Sequence, residues 1–260
     1  MKRIAIFYIC TGKYDIFWND FFASSENHFC RGHQKHYFVF TDSAAIASGD
    51  NVTVIYQDNL GWPMIACYRY RILLRMEREL GSFDLMAFFN ANAIFVADVS
   101  REDFFGGGIR SLVCARHPLF FEKPAEAPFE KRPGSTAFVP DNNRKRYCQS
   151  AISAGTKDEY LSMLHELADN TETDLNNGIV AAWHDESHWN AYINNNRSAK
   201  DVLNVLSLSF IYPEGYQFSC EKKIMMRDKR RHGGIAFLRG SARWTRWKRL
   251  RSKLEKIFRF

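Results

Sequence analysis

An α/β fold, a single domain built on a mainly parallel, twisted sheet flanked by helices, is what this sequence predicts. Short apolar β-type runs recur through its first half, and helix-like stretches lie between several of them. No internal repeat or low-complexity linker divides the chain. Strands alternating with helices favour a parallel sheet covered on both faces. At 260 residues and 46% hydrophobic content the chain is long enough to close one sizeable core.

Ile4 to Cys10 is a continuous apolar run, which reads as a buried first strand. Lys2 and Arg3 ahead of it mimic the start of a secretory signal, but the run is too short and Thr11-Gly12-Lys13-Tyr14-Asp15 offers no small-residue cleavage pattern. Asp15 to Phe29 reads as a helix, His36 to Thr41 and Val52 to Tyr56 as strands, and Met64 to Leu80 as a second helix. Leu85 to Phe89 and Ser111 to Ala115 follow as strands. Pro118 to Pro140, rich in proline, phenylalanine and charge, reads as a long ordered loop. Thr156 with Glu159 three residues later forms a capping-box pattern and predicts a helix from Lys157 to about Ala168. A further helix is expected to begin near Asp185 and carry Trp189 and Tyr192 inward, and beyond Leu203 the pattern is irregular up to a basic tail.

The formal net charge of +7 is concentrated at one end. Residues 243–260 hold eight lysines and arginines against Glu255 alone, so residues 1–242 are neutral overall. Trp244, Trp247, Leu250, Leu254, Ile257 and Phe258 recur through that tail at three- and four-residue spacing, the pattern of a basic amphipathic helix. The expectation is a 1–242 domain with a 243–260 tail that associates with an anionic membrane surface; a solvated tail and a nucleic-acid arm are the rival readings, and nucleic acid is not the expected partner. No segment reaches the roughly 20 apolar residues of a membrane-spanning helix. The six cysteines are scattered without a Cys-x-x-Cys pair, which points to neither a zinc site nor a disulfide framework, and a reducing cytoplasm fits best.

Ligands of open parallel sheets sit beyond the carboxyl ends of the strands. Thr11-Gly12-Lys13-Tyr14 and Asn90-Ala91-Asn92 both fall at such ends. The two amides can hydrogen-bond hydroxyls, but they lack the charge that makes a Mg²⁺ or Mn²⁺ site favourable. Trp183-His184-Asp185-Glu186-Ser187-His188 gathers two adjacent carboxylates, two histidines, an indole and a hydroxyl. Such a cluster is costly near a core unless it meets a polar ligand. The plainer alternative is a solvated helix start capped by Asp185 or Ser187.

Together and in this order the segments resemble family 6 glycosyltransferases, the retaining α1,3-galactosyl- and N-acetylgalactosaminyltransferases that include the blood-group A and B enzymes and bacterial relatives. The resemblance runs from Tyr8-Ile9-Cys10-Thr11-Gly12-Lys13-Tyr14-Asp15-Ile16-Phe17-Trp18 through Tyr37-Phe38-Val39-Phe40-Thr41-Asp42-Ser43, Gly61-Trp62-Pro63, the Asn-Ala-Asn segment, His117-Pro118 and Glu130-Lys131-Arg132. It continues through Trp183-His184-Asp185-Glu186-Ser187, its most specific part, to Arg227-Asp228-Lys229, and covers about residues 1–235. It implies a GT-A-type nucleotide-sugar domain. Asn-x-Asn, in place of the metal-binding Asp-x-Asp, is the variant of the bacterial members, so no divalent metal or other cofactor is expected beside the UDP-sugar.

The resemblance makes Glu186 the catalytic carboxylate, as nucleophile or as support for a same-face substitution. It puts Asp185 on the donor hydroxyls, Ile9, Thr11 and Tyr14 on the uridine, and Arg69, Asn90, Asn92 and Gln149 at the donor. Lys229, within Arg227-Asp228-Lys229-Arg230-Arg231, takes the metal's place at the diphosphate, where protein cations are effective partners for phosphate. Trp183 and His117 are expected at a galactose-terminated acceptor. Ala151 matches a position where alanine is typical of galactose users and glycine leaves room for an acetamido group, so UDP-galactose is expected ahead of UDP-GalNAc. Leu119, Pro128 and Ala154 depart from the family pattern, mostly on the acceptor side. The expected acceptor is a galactose-terminated, in one form 2-fucosylated, glycan on a lipid carrier, met at the cytoplasmic face of the cell membrane. The rival from another class, a non-catalytic basic membrane or polyanion binder, is disfavoured by the intact Asp185-Glu186 pair.

Overall fold

The computed structural model describes residues 1–108, 111–196 and 201–240, so the predicted amphipathic helix of the basic tail lies outside the described residues. In chain order the strands are β1 (Arg3–Ile9), β2 (Gln34–Thr41), β3 (Val52–Tyr56), β4 (Leu85–Asn90), β5 (Ala93–Phe95), β6 (Leu112–Arg116), β7 (Cys148–Thr156), β8 (Leu203–Leu206), β9 (Tyr212–Pro213) and β10 (Ile224–Met226). The helices are α1 (Trp18–His28), α2 (Met64–Cys67), α3 (Arg69–Leu74), α4 (Arg101–Phe105), α5 (Lys157–Asn176), α6 (Asp185–Asn195) and α7 (Gly234–Leu238).

Seven strands form the main sheet in the order β3-β2-β1-β4-β7-β6-β8. Every neighbouring pair is parallel except those made by β7, which runs antiparallel to both β4 and β6. The apolar runs of β1 and β4 are buried along almost their whole length, as strands covered on both faces must be. One core layer packs Trp18 and Phe21 of α1 against Tyr8, Phe89 and Phe95. The opposite layer packs α3, α5 and α6 against Phe7, Phe38 and Phe88. A small sheet, β5-β10-β9, extends the strand-end side of the fold. This is the single GT-A-like α/β domain that the resemblance implies.

Several local expectations change. The Met64 to Leu80 helix is broken: α2 and α3 are separated at Tyr68 (φ −87°, ψ 4°), and a 3-10 turn covers Glu77–Ser82. The break re-aims the chain so that Arg69 enters the cleft and the Tyr70 hydroxyl donates to the Asp185 carbonyl at 2.8 Å. Residues 14–17 form a 3-10 turn ahead of α1. Thr156 does stand at the N-cap of α5, but its hydroxyl makes no capping bond; it accepts from the Ser111 N–H at 3.4 Å. α5 also runs on to Asn176, because Thr171 and Asp174 continue its buried stripe of Tyr160, Met163, Leu164 and Leu167. The stretch after Leu203 is not irregular, since β8, β9 and β10 lie in it.

Candidate active site

A cleft of about 330 Å³ opens where the carboxyl ends of β1 and β4 meet the start of β7. Ile9, Thr11, Tyr14, Arg69, Asn90, Asn92, Gln149, Trp183, Asp185, Glu186 and Lys229 line it, so one cavity gathers eleven of the thirteen site residues expected from the sequence. Ala151 and His117 are the exceptions. The Ala151 methyl is buried in the core behind β7, and the wall beside it is made by Gln149 and Ser150. His117 packs against Phe120 and Tyr147, its Nδ1 accepts the Leu119 N–H, and burial holds the imidazole down at about 4, hence neutral.

The turn after β1 forms one side of the cleft. Asp42, at the end of the Tyr37–Ser43 run, accepts the Gly12 N–H at 2.8 Å, and Thr41 donates its hydroxyl to the Cys10 carbonyl. Gly12 has φ +73°, and a Cβ there would stand 2.8 Å from the Leu238 carbonyl oxygen, so only glycine lets α7 settle on this turn. The Lys13 N–H closes the contact by donating to that same oxygen at 2.8 Å.

Arg69 ties the wall formed by β4, β7 and α6 together. Its Nη1 lies 2.6 Å from Asp185 Oδ2 and donates to the Ser150 carbonyl at 2.7 Å, while Nη2 donates to Asn90 Oδ1 at 3.2 Å. The guanidinium also covers the Phe88 ring, 4.5 Å from its centroid. Asp185 therefore neutralises Arg69, which is not an unpaired phosphate ligand.

Glu186 sits on the first turn of α6, half-buried in the cleft wall, and its Oε2 accepts the Ser150 N–H at 3.1 Å. Asn190 locks this turn to β7 by accepting from the Cys148 N–H and donating to the carbonyls of Cys148 and Glu186. Burial pushes the Glu186 carboxyl up to about 7; the Asp185 charge adds to the rise, and the Ser150 N–H, the Tyr147 phenol and Arg69 oppose it. His184 before it adopts φ +54°, a backbone state that non-glycine residues hold only at a cost of about 1–3 kcal/mol when their surroundings dictate it. Its ring lies against Trp62, tilted by 33° with the centroids 4.3 Å apart. Trp183, half exposed, stands at the rim.

Of the basic run 227–231 only Lys229 faces the cleft. Arg227 is buried against Asp20 and the Phe17 carbonyl, Arg230 pairs with Asp228, and Arg231 pairs with Glu214. The expectation that the whole run supplies charge to the site is thus corrected to one lysine. Lys229 Nζ stands 5.3 Å from the Tyr14 ring centroid, and among the described residues no carboxylate forms an ion pair with it. Burial, then the neighbouring Arg239 and Arg69, lower its ammonium to about 8 against the pull of Asp185.

Arg239 is a second cleft cation that sequence reasoning missed. Its guanidinium lies over Trp62 at 4.1 Å, and Asn59 holds its carbonyl at 3.2 Å. It lies past the last recognisable motif, in a stretch with no periodicity. Trp62 was visible in Gly61-Trp62-Pro63, but nothing in that tripeptide assigns it a role.

Comparisons with known proteins identify the family. A profile of glycosyltransferase family 6 matches residues 3–229. The chain is 31% identical over 231 residues to the O-antigen biosynthesis glycosyltransferase WbnI of Escherichia coli, covering 88% of this chain and 95% of that protein. It is 28% identical over 222 residues to the human globoside alpha-1,3-N-acetylgalactosaminyltransferase 1, covering 81% of this chain and 61% of the relative. With the histo-blood group ABO system transferase 2 of Rattus norvegicus it shares 29% identity over 192 residues, 70% of this chain and 56% of the other. A hexosyltransferase cleft with its carboxylates on the Trp-His-Asp-Glu-Ser turn, matched over nearly the whole domain, means that this chain belongs to glycosyltransferase family 6.

Proposed function

We propose that the chain is a retaining α1,3-galactosyltransferase that moves galactose from UDP-galactose to a galactose-terminated glycan, in one form 2-fucosylated, without a divalent metal. The observation that carries this reading is the Lys229 ammonium, which pairs with no carboxylate among the described residues and faces a cleft whose Asn-x-Asn pair is already engaged: Asn90 accepts from Arg69 and Asn92 donates to the Arg227 carbonyl. Neither amide brings the negative charge that a hard cation favours, and the Asn90 oxygen is already taken by Arg69. Breaking the bond between the anomeric carbon and UDP leaves negative charge on the diphosphate and positive charge on the sugar. Lys229 and Arg239 offset the first in a part-buried site, where an ammonium or guanidinium counts for more than in water. Glu186, ionised above about 7, faces the second, whether it attacks the anomeric carbon or supports same-face substitution. Asp185 and Gln149 hold the sugar hydroxyls, and Ile9, Thr11 and Tyr14 hold the uridine.

The test is UDP release and product linkage with UDP-galactose in EDTA. Turnover should persist in chelator and collapse in Glu186→Gln and Lys229→Ala. A strict need for added Mn²⁺, or an unimpaired Lys229→Ala, would overturn the reading.

A second reading, transfer of N-acetylgalactosamine, is favoured by one observation: Ala151 lies behind the wall and leaves the sugar pocket to Gln149 and Ser150. Several relatives carry N-acetylgalactosaminyltransferase in their names. A side-by-side competition of the two donors decides between them. The reading also takes in a lipid-linked acceptor at the cytoplasmic membrane face, supported by the net +7 of residues 243–260 and by the O-antigen role named for WbnI.

A further inference from the structure

β10 pairs antiparallel with β5, Met225 opposite Ile94 and Met226 opposite Ala93. One rung further, the Arg227 N–H donates to the Asn92 carbonyl at 2.8 Å. In a regular hydrogen-bonded antiparallel pair the returning bond comes from the partner's backbone N–H. Here the Arg227 carbonyl accepts instead from the side-chain Nδ2 of Asn92, at 2.8 Å and buried. An ionised aspartate has no proton to donate there, and alanine has no polar group at all.

Two residues beyond this rung stands Lys229. The chain between them is fixed from the other side as well: Asp228 donates its N–H to Glu214 Oε2 at 2.7 Å and caps the turn at the Arg230 N–H. We propose that Asn92 is a positioning residue whose amide closes the last rung of the β5–β10 ladder and thereby aims Lys229 at the donor diphosphate. This rests on the metal-free reading above. It gives the second amide of Asn-x-Asn a task that a carboxylate cannot perform, beyond the mere absence of metal.

The charged and titratable groups facing Lys229 are Arg239, Arg69, Asp185 and the Tyr14 phenol. Those groups stay in place if the rung opens. What changes is the burial of the ammonium, the main cause of its lowered value of about 8.

The test is UDP binding in EDTA, measured by calorimetry on the full chain for the wild type, Asn92→Ala, Lys229→Ala and the double variant. Asn92→Ala should weaken UDP about tenfold. Lys229→Ala should weaken it at least as much, and the double variant should bind within about twofold of Lys229→Ala alone, the non-additivity of residues acting as one unit. In Asn92→Ala the alkaline limb of UDP affinity should move upward from about 8, as the released ammonium regains water. Asn92→Leu, close in size but without a donor or a charge, should match Asn92→Ala and keeps the test open if the alanine variant folds poorly. Additive losses in the double variant, or an unmoved alkaline limb, would sink the proposal while leaving the metal-free reading intact. Undiminished UDP binding in Lys229→Ala would remove both.

Discussion

Burial holds Glu186 at about 7 and Lys229 at about 8, so the two bracket the pH range in which the carboxylate is ionised and the ammonium still charged. In the proposed reaction, Glu186 takes up a proton below 7 and no longer offers a negative charge to a positive anomeric centre, and above 8 Lys229 loses the charge proposed to meet the diphosphate. The kcat/KM profile, which reports the free enzyme, is expected to be a narrow bell between these limbs, and Lys229→Arg should flatten the alkaline side alone. Glu186 has a consequence for stability too. Its folded value lies above the ordinary 4.5, so from pH 4.5 to 7 the folded state holds more protons than the unfolded one and stability falls as pH rises through that interval. Glu186→Gln removes this cost and should raise the melting temperature at pH 8 while abolishing turnover. Glu186 and Asp185 were legible in the sequence because two adjacent carboxylates beside histidines are chemically conspicuous. Ser150 was not, because it contributes a backbone N–H that any residue would supply.

At the scale of elements, strands were legible wherever they are unbroken apolar and β-branched runs. β1 and β4 are continuous apolar runs, and β3 was foreseen to the residue. β7 was missed because it is built of small and polar residues, and only its place between β4 and β6 makes it a strand. That place leaves no slack. A Cβ on Gly155 would lie 2.5 Å from the Ser111 carbonyl oxygen, so Gly155→Ala should cost about 3 kcal/mol in urea unfolding. The loop 118–140 is ordered by Glu130, a buried carboxylate that accepts from Lys131 and Arg132 and, at 2.8 Å, from the Ala182 N–H one residue before Trp183. Arg132 reaches the Val180 carbonyl from the same clamp. These bonds hold the carboxyl down at about 2, so the stability it contributes is present above pH 4.5 and is lost only as pH falls toward 2. Glu130→Gln strands part of this donor set and should cost about 2 kcal/mol at neutral pH. Because the clamp pins the approach to Glu186, kcat should fall more than UDP affinity does.

For the whole molecule the decisive asymmetry is electrostatic: residues 1–242 are neutral and residues 243–260 carry +7. Truncation at Arg243 is therefore expected to spare turnover of a soluble acceptor and to abolish sedimentation with anionic vesicles. That association should weaken steeply between 0.1 and 0.5 M salt, as charges more than about 10 Å apart become screened. Unchanged vesicle binding after truncation would refute the membrane role.

One strand of the main sheet runs against its neighbours, and this decides which of its ends meets substrate. Ile9 and Asn90 stand side by side where β1 and β4 finish, whereas β7 presents its opening residues there. Under the proposed function, the grip on the nucleotide and the fit to the hexose are encoded in separate pieces of chain, so donor preference can drift by exchange of the side chains at 149 and 150 while the turn after β1 stays as it is.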